Sequence, residues 1–355
     1  MGEVRSEAVE RSWPRVLGEL TASRDLESED VAWAMSRIME GHATPAQIAA
    51  FGVALKTKGE TARELDVLAA TMLQYSRRVQ TSGRCLDIVG TGGDRHGTVN
   101  ISTMSTIVVS SLGVPVVKHG NRAASSKSGG ADVLEALGVA IDLEPAAVQA
   151  CLERVGVSFC FAPVFHPALR FAAAPRKEIG IPTVFNVLGP LTNPASPTSS
   201  LIGCAFPELM AVMAGVFARR GHTALVVRGV DGLDEVTVTG PTDVLFVEGG
   251  EVTEMQIHPE EFGIPPCSLD DLKGGDGETN ARVARELLEG KPGPVRDAVV
   301  LNSAAALVAY QSHGAREDLV GALGAAKDRV EEAIDSGLAA GQLGKWATVS
   351  TELRN

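Results

Sequence analysis

The first part of the chain carries hydrophobic residues at helical spacing. Between Val31 and Ile38 the apolar side chains recur three and four residues apart. Residues 44–47, Thr-Pro-Ala-Gln, give the cap, the first-turn proline and the third-position glutamine that open a helix. A further helical pattern covers residues 62–79. We therefore predict a small all-helical unit over residues 12–79.

Beyond residue 81 short β-prone runs alternate with helical patterns. The runs that we interpret as strands are 85–90, 114–120, 139–142, 157–163 and 223–229. A hairpin with a Gly-Gly turn is predicted over 243–255, and the last third of the chain is alanine-rich and helical. Strands that alternate with helices indicate an α/β fold with a mostly parallel sheet. Proline-rich segments between 163 and 195 enclose one more helical stretch.

Length and charge limit the possible functions. A chain of 355 residues suits two domains, and 45% apolar residues can build large cores, although only 4% are aromatic. The formal net charge is −12. A chain this acidic lacks the general basic field that nucleic-acid binding needs, so we expect no nucleic-acid partner. A local cluster of amides and cations can still bind a small anion.

The cysteines and the apolar segments bear on the compartment. Five scattered cysteines without a Cys-x-x-Cys spacing favour neither a disulfide framework nor a zinc site. The charged N-terminal segment lacks the apolar core of a signal peptide, and no window approaches 18 apolar residues. We therefore expect a cytoplasmic protein without a membrane partner.

The first candidate site is the glycine-rich loop that follows the strand at 85–90. Gly90-Thr-Gly-Gly-Asp94 leads into a helix predicted to begin near Asn100. Neither a Walker A loop nor a dinucleotide fingerprint fits, because the required lysine and the sixth-position glycine are missing. Bare amides and a helix N-terminus favour an anion such as phosphate. The loop alone is equally compatible with a tight turn and an asparagine cap.

A second polar loop follows the next strand. Residues 118–122, Lys-His-Gly-Asn-Arg, and residues 125–130, Ser-Ser-Lys-Ser-Gly-Gly, lie between that strand and a helix. Both loops would open at the carboxyl ends of neighbouring parallel strands, where ligands bind. Together they predict a ligand with two anionic ends.

Carboxylates and one arginine complete the candidates. Asp234 and Glu235 follow the strand at 223–229 and suit Mg²⁺, which takes one or two carboxylates, waters and phosphate oxygens. Taken alone, this pair is also typical of a solvated turn. Arg176 lies in an alanine-rich helix and could hold a carboxylate bidentately, or could be an ordinary surface arginine.

Taken together, these motifs resemble a known family. DIVGTGGD, TVNIST, KHGNRAASSKSGGADVLEALG, FNVLGPLTNP and DGLDE, in this order, are similar to the anthranilate phosphoribosyltransferases of tryptophan biosynthesis, over about residues 15–345. The resemblance implies a nucleoside phosphorylase/phosphoribosyltransferase-like fold. Residues 1–81 with 165–194 would form the small helical domain, which forms a homodimer, and residues 82–164 with 195–355 the large α/β domain.

The resemblance also implies the roles of individual residues. Anthranilate would contact Gly90, Asn121 and Arg176, with Asn121 and Arg176 positioning it. Mg²⁺ would contact Ser102, Asp234 and Glu235. Contacts with 5-phosphoribosyl pyrophosphate are assigned to Gly90, Gly93, Asp94, Thr98, Asn100, Ile101, Ser102, Thr103, Lys118, His119, Gly120, Asn121, Arg122, Ala123, Ala124, Ser125, Ser126 and Gly130.

Three positions depart from the family pattern. Gly130 stands where many members have serine, Val99 replaces a frequent phenylalanine, and Arg228 stands where histidine is often found. None of these changes removes a group that the implied reaction requires. That reaction joins the anthranilate amine to C1′ of the sugar and expels pyrophosphate, with no general acid or base from the protein.

Three other functions compete with this one. A pyrimidine nucleoside phosphorylase would carry Lys-Thr-Ser after its glycine loop, whereas this chain has Asn100-Ile-Ser-Thr103. A nucleic-acid-binding relative would carry a basic surface. A sugar-phosphate sensor without catalysis would not need Asp234, Glu235, Asn121 and Arg176 to be intact.

Overall fold

The computed structural model describes residues 10–123, 127–312 and 315–354. Within these ranges no helix has both the length and the apolar character needed to cross a bilayer. The helices are α1 Trp13–Thr21, α2 Ser28–Met39, α3 Pro45–Lys58, α4 Ala62–Gln74, α5 Ile101–Ser111, α6 Gly130–Ala136, α7 Pro145–Val155, α8 Ala162–Phe165, α9 Arg170–Ile179, α10 Pro207–Arg219, α11 Gly277–Leu288, α12 Pro294–Gln311, α13 Leu319–Asp335 and α14 Leu338–Arg354.

The strands of the described residues form one mixed sheet. They are β1 Leu86–Gly90, β2 Val116–Gly120, β3 Val157–Phe161, β4 Ser199–Gly203, β5 Thr223–Gly229, β6 Thr242–Glu248 and β7 Glu251–Ile257. Their order is β3-β2-β1-β4-β5-β6-β7. The pairs from β3 to β5 are parallel, whereas β6 and β7 are antiparallel. The predicted mostly parallel sheet and the Gly-Gly hairpin are thus confirmed.

Both faces of this sheet are covered, as the apolar strands require. Leu225 and Val227 of β5 pack into a core with α5 and α12, whereas Ala224 and Val226 pack into a second core with α10 and the N-terminal helices. Successive strand side chains point to opposite faces, so a strand buried on both faces is apolar at every position. This explains why the β5 sequence lacks alternation.

The helical N-terminal unit is also confirmed. Thr44 Oγ1 accepts a hydrogen bond from Gln47 N at 3.2 Å, and Gln47 Oε1 accepts one from Thr44 N at 2.9 Å. This reciprocal capping box is the start signal visible in the sequence. The last predicted helix of this unit ends earlier than expected, at Gln74 and not at Val79.

Two strand predictions need correction. Residues 139–142 were predicted as a strand but form no strand; they lead into α7 with Val139 and Ile141 buried. These residues are apolar because their side chains pack in the core, and they make no strand pairing. Conversely, β4 was not predicted, although it lies between β1 and β5 with all five residues buried.

The chain passes between the helical layer and the sheet several times. After α9, the segment 184–191 packs its apolar side chains with α1 to α4. We call residues 75–85 the first crossing and residues 190–198 the second crossing, because each leads from this helical layer to a strand of the sheet. The two crossings lie close together, since Val79 N donates to Pro194 O at 3.2 Å.

Candidate active site

A cleft of about 960 Å³ opens at the carboxyl ends of β1 and β2. One wall is built by the loops after these strands, and the opposite wall by α9 and the segment that follows it. The cleft brings together most of the residues singled out in the sequence: Gly90, Gly93, Asp94, Asn100, Ser102, Thr103, Lys118, His119, Gly120, Asn121, Arg122, Ala123, Gly130 and Arg176.

Some expected residues lie elsewhere. Thr98 forms a β-bridge with Lys273 and does not line the cleft. The side chain of Ile101 is 1% exposed in the core, and its N–H donates to Val99 O, so a ligand contact expected from this residue is not available to its side chain. The expected contacts from Ala124, Ser125 and Ser126 lie outside the described residues.

The turn after β5 reaches the glycine-rich loop directly. Gly92 N donates to Asp234 Oδ2 at 2.6 Å, and Ser102 N donates to Glu235 Oε1 at 3.2 Å. The two carboxylates therefore contact the loop and the first turn of α5. This contact links elements that are more than a hundred residues apart in the sequence.

Asp231 holds this turn in place. Its carboxylate accepts hydrogen bonds from Leu233 N at 3.0 Å, from Thr237 Oγ1 at 2.6 Å and from Thr239 Oγ1 at 2.5 Å. A carboxylate that accepts several hydrogen bonds fixes the backbone around it. Sequence reasoning did not assign Asp231 a role, although it begins the DGLDE motif.

The charges at this turn are mutually unfavourable without a cation. Burial, followed by the nearby carboxylates of Asp94 and Glu235, raises the pKa of Asp234 well above its ordinary value. Burial also raises the pKa of Glu235 to about 7, against the attraction of Lys118. Burial lowers the pKa of Lys118, whose ammonium group donates to Ser102 Oγ at 3.1 Å and to Ile88 O. One buried ammonium thus faces several carboxylates.

This donor set fits Mg²⁺. Among the described residues no three His, Cys, Asp or Glu side chains form a metal cage. Mg²⁺ does not need one, since it is usually bound through one or two carboxylates, with waters and substrate phosphates completing its shell. Asp234, Glu235 and the Ser102 hydroxyl are hard oxygen donors beside the glycine-rich loop after β1. The excess of buried carboxylate is the observation that supports a cation here.

The glycines of the first loop meet two different demands. Gly93 has a φ of +93°, a backbone conformation that favours glycine. Gly90 has an ordinary φ, but a Cβ built on it would lie 2.3 Å from Asp234 Oδ2. From the sequence we expected the glycines to let a ligand approach the backbone of the loop. At Gly90 the missing side chain also lets the Asp234 carboxylate approach that backbone.

Asn100 lies at the expected helix start but does not cap it. Its side chain makes no capping hydrogen bond. Instead Asn100 Nδ2 donates to Ser128 O at 3.2 Å, and Asn100 Oδ1 accepts from Asn280 Nδ2 at 2.8 Å. The first-turn amides of α5 are therefore not covered by the asparagine side chain. The asparagine joins the two loops.

The second loop is closed by an acidic residue of α6. Asp132 Oδ2 accepts hydrogen bonds from Gly129 N at 2.8 Å and Ala123 N at 3.1 Å. Arg122 pairs with Asp132 and Glu135, both at 2.8 Å, and these pairs raise its pKa. Arg122 lines the cleft, but its charge is already paired with these two carboxylates. Lys127, from the same loop, also lines the cleft.

Arg176 lies on the opposite wall in the last turn of α9. The side chain is half-buried, its guanidinium carbon lies 6.0 Å from the centre of the Phe185 ring, and burial lowers its pKa. In the described parts of the chain no carboxylate forms an ion pair with it. A half-buried guanidinium without an anion, facing a cleft, favours the carboxylate-binding interpretation over the surface arginine.

Residues near 273 were missed by the sequence analysis. Lys273 and Gly274 line the cleft, and Gly274 N donates to Gly97 O at 2.9 Å. The signal was the Lys-Gly-Gly run at 273–275, a third polar glycine loop. Nothing local in the sequence indicated that this run meets the loop after β1.

His119 lines the cleft as a neutral side chain. Its Nδ1 lies 2.9 Å from Gly189 O, and burial lowers its pKa to about 4. The carbonyl contact implies that Nδ1 carries the proton. No hydrogen-bond partner for Nε2 occurs in the described residues.

The three departures from the family pattern have different surroundings. A Cβ on Gly130 would lie 3.0 Å from Thr103 Oγ1, a hydroxyl that has no partner among the described residues. Val99 is 3% exposed and belongs to the core, which agrees with a packing role. Arg228 lies on β5 opposite Asp243 and near Gly232, in the turn that carries Asp234 and Glu235.

Comparison with known proteins agrees with this geometry. The model of a glycosyl transferase family, a/b domain, matches residues 82–340, and that family's helical bundle domain matches residues 14–76. An anthranilate phosphoribosyltransferase of Rhodococcus jostii is 60% identical over 97% of this chain and 94% of its own length. The chain belongs to the anthranilate phosphoribosyltransferase family. It is therefore an enzyme of the glycosyltransferase type.

Other members of the anthranilate phosphoribosyltransferase family extend the similarity. The Nocardia farcinica relative is 60% identical and covers 95% of this chain and 99% of its own. A crystal structure from Thermus thermophilus superposes with a TM-score of 0.87 at 39% identity, covering 96% of this chain and 99% of that one. The Saccharomyces cerevisiae enzyme in complex with PRPP and Mg has a TM-score of 0.86 at 28% identity, over 96% and 98%.

Proposed function

We propose that the protein transfers the 5-phosphoribosyl group from phosphoribosyl pyrophosphate to the amine of anthranilate, in tryptophan biosynthesis. One observation carries this assignment. A single cleft combines amide-rich loops on one wall with a half-buried, unpaired Arg176 on the other. Asp234 and Glu235 reach the first wall from behind, where they accept hydrogen bonds from Gly92 N and Ser102 N. The first wall suits a phosphorylated donor with its metal, and the second suits a small carboxylic acid.

The donor would occupy the wall formed by the two loops after β1 and β2. Amides of Gly93 and its neighbours, together with the start of α5, favour a pyrophosphate group. Lys118 is buried beneath this loop and would contribute positive charge there. Lys127 and Lys273 line the same wall and are candidates for contacts with the terminal phosphates.

The acceptor would lie between the donor and α9. Arg176 would bind the anthranilate carboxylate, since a guanidinium matches a carboxylate in two parallel hydrogen bonds. Asn121, at the end of β2, lines the same cleft and would orient the amine. Gly90 would lie beneath both substrates, where its lack of a side chain leaves room.

Asp234, Glu235 and Ser102 would hold Mg²⁺. The metal would supply positive charge to the pyrophosphate oxygens of the donor. Lys118 contacts Ser102 Oγ and would keep this hydroxyl oriented. Asp231 would keep the turn that carries both carboxylates in position through its bonds to Thr237 and Thr239.

The reaction forms a bond between the anthranilate nitrogen and C1′ and breaks the bond between C1′ and the pyrophosphate oxygen. The electron pair of the broken bond leaves with pyrophosphate, and the amine proton is released after attack. An aryl amine is neutral at pH 7, so no side chain must first deprotonate it. Positioning by Arg176 and Asn121, together with amides directed at the leaving group, would supply much of the rate.

The domain division and the assembly are part of the proposal. We assign residues 1–81 with 165–194 to a helical domain and residues 82–164 with 195–355 to the α/β domain. The packing of residues 184–191 with α1 to α4 supports the assignment of this segment to the helical domain. The same core continues to α10 and to one face of the sheet, where the two domains meet. A homodimer through the helical domain and a cytoplasmic location complete the proposal, the latter supported by free thiols at every described cysteine.

Anthranilate fluorescence provides the test. Purified protein, donor and Mg²⁺ should together remove the fluorescence, and omission of any one should preserve it. If the signal persists while the donor still raises the melting temperature, the donor site stands but the acceptor assignment is wrong. If the donor neither reacts nor binds, the proposed function is wrong.

A further inference from the structure

A second cavity of about 390 Å³ lies between the helical layer and the sheet and shares Pro190 with the lining of the cleft. Both crossings line it, through Arg78 in the first and Ser196 in the second. Leu73 of α4 and Phe217 of α10 contribute apolar side chains to its lining. We call this cavity the crossing pocket. Its size falls within the range of about 300–1,000 Å³ that is usual for small-molecule sites.

The polar groups of the crossing pocket are cationic or neutral. Arg220 donates through Nε to Asp66 Oδ1 at 2.8 Å and through Nη1 to Leu191 O at 2.9 Å, while its Nη2 has no partner among the described residues. His222 Nδ1 also lacks a partner within the described part of the chain. Buried polar atoms without partners are uncommon and call for an explanation.

Arg78 lies at the mouth of the pocket with an exposed side chain. Its Nη1 donates to Ser196 Oγ at 3.1 Å. Ser196 has a φ of +49°, an uncommon conformation for a residue other than glycine. Strained residues of this kind are often found at ligand-binding segments. The second crossing thus holds Ser196 where it and Arg78 face the same space.

Among the residues that the structure describes, no acidic side chain lines the crossing pocket, and much of its remaining wall is apolar. The carboxylate of Asp66 pairs with Arg220 at 2.8 Å and lies 3.8 Å from Arg219. Two arginines, an unpaired histidine nitrogen and an apolar wall suit an amphipathic anion. A carboxylate can receive two parallel hydrogen bonds from one guanidinium while its apolar body covers Leu73 and Phe217.

We propose that the crossing pocket is a second ligand site, which binds a small carboxylate with an apolar body. The carboxylate lies between Arg78 and the Arg220–His222 side of the pocket. The apolar body lies against Leu73 and Phe217. Because both crossings form the walls, the bound molecule contacts the segments that join the helical layer to the sheet. Within the described residues the site shares only Pro190 with the lining of the cleft, and it does not depend on the proposed transfer reaction.

Titration calorimetry with benzoate tests this proposal. The titration uses the full chain carrying Arg176→Gln, so that the proposed acceptor site does not compete. We expect one benzoate per chain, and we expect Arg78→Gln in this background to weaken binding about tenfold, the effect of losing a charged hydrogen bond. Ala70→Leu, which places an apolar side chain into the pocket from α4, should abolish binding.

Arg77→Gln is the matched control. It removes the same charge from the neighbouring position, but Arg77 pairs with Glu144 and does not line the pocket. Benzoate binding that is unchanged by Arg78→Gln and Ala70→Leu, or weakened equally by Arg77→Gln, would overturn the proposal. Acetate that binds as tightly as benzoate would also overturn it, because the apolar wall would then contribute nothing. Transferase activity is measured separately, so its presence or absence does not affect these outcomes.

Discussion

Gly90 and Asp234 are packed so closely that no side chain fits between them. A Cβ on Gly90 would lie 2.3 Å from Asp234 Oδ2 and 3.2 Å from Asp234 O. Gly90 does not have a left-handed φ, so its backbone conformation would allow any residue. Glycine is required here because a side chain would collide with Asp234. The end of β1 therefore determines how far the turn with Asp234 and Glu235 can approach the loop.

Gly90→Ala should reduce kcat/KM on the order of 100-fold, because the displaced turn would carry Asp234 away by a fraction of an ångström to an ångström. Steady-state kinetics with both substrates measures the change. Gly83→Ala is the control, since a Cβ there meets nothing within 4 Å and the φ is also ordinary. A Gly90→Ala enzyme with full activity would show that the close contact with Asp234 is unimportant for transfer.

Arg176→Ala should raise the KM for anthranilate about tenfold or more, because the substrate carboxylate would lose a charged hydrogen-bond partner. The KM for the donor should stay nearly unchanged. The neighbouring Lys177 is exposed and does not line the cleft, so Lys177→Ala should change neither constant. Equal increases in both KM values would refute the assignment of Arg176 to the acceptor.

Asp234→Asn combined with Glu235→Gln should raise the Mg²⁺ concentration needed for half-maximal rate by about tenfold or more, the size of effect seen when metal-site partners are lost. The amides keep the shape of the turn but remove both negative charges. Activity is titrated with Mg²⁺ after treatment with a chelator, and Glu254→Gln, an exposed change on β7, serves as control. An unaltered metal titration would mean that these carboxylates do not hold the metal.

The loops of the site could be predicted because their signals are local. Glycines and small polar residues after β1 and β2 mark turns, and neighbouring parallel strands bring such turns together. The capping box at Thr44 could be predicted in the same way, because its residues are only three positions apart. Asp234 could be proposed because it follows a strongly apolar strand.

The missed elements depend on contacts between distant parts of the chain. The β4 sequence, Ser-Ser-Leu-Ile-Gly, shows neither alternation nor a long apolar run, and only its pairing with β1 and β5 makes it a central strand. The hydrogen bond between Asn100 and Asn280 joins residues 180 positions apart. No local pattern could reveal that Lys273 lies at the cleft.

His166 is a buried histidine whose ionisation is coupled to the fold. It is 3% exposed, and its Nε2 lies 2.8 Å from Thr192 O, so it links the segment before α9 to the second crossing. Its ring lies 5.1 Å from that of His119. Burial, and then the nearby His119, lowers its pKa from 6.5 to about 3.

His166 should therefore make the protein less stable in acid. In the unfolded chain this histidine becomes protonated below a pH of about 6.5, whereas in the folded chain it stays neutral down to a pH of about 3. Between these two values the free energy of unfolding therefore falls by up to about 1.4 kcal/mol for each unit by which the pH is lowered. Urea unfolding at several pH values measures this slope. His166→Gln, whose amide can still donate to Thr192 O, should reduce the slope by that amount between about pH 6 and pH 4, whereas His42→Gln, at an exposed site, should not. If the two variants show the same slope, groups other than His166 govern the acid response.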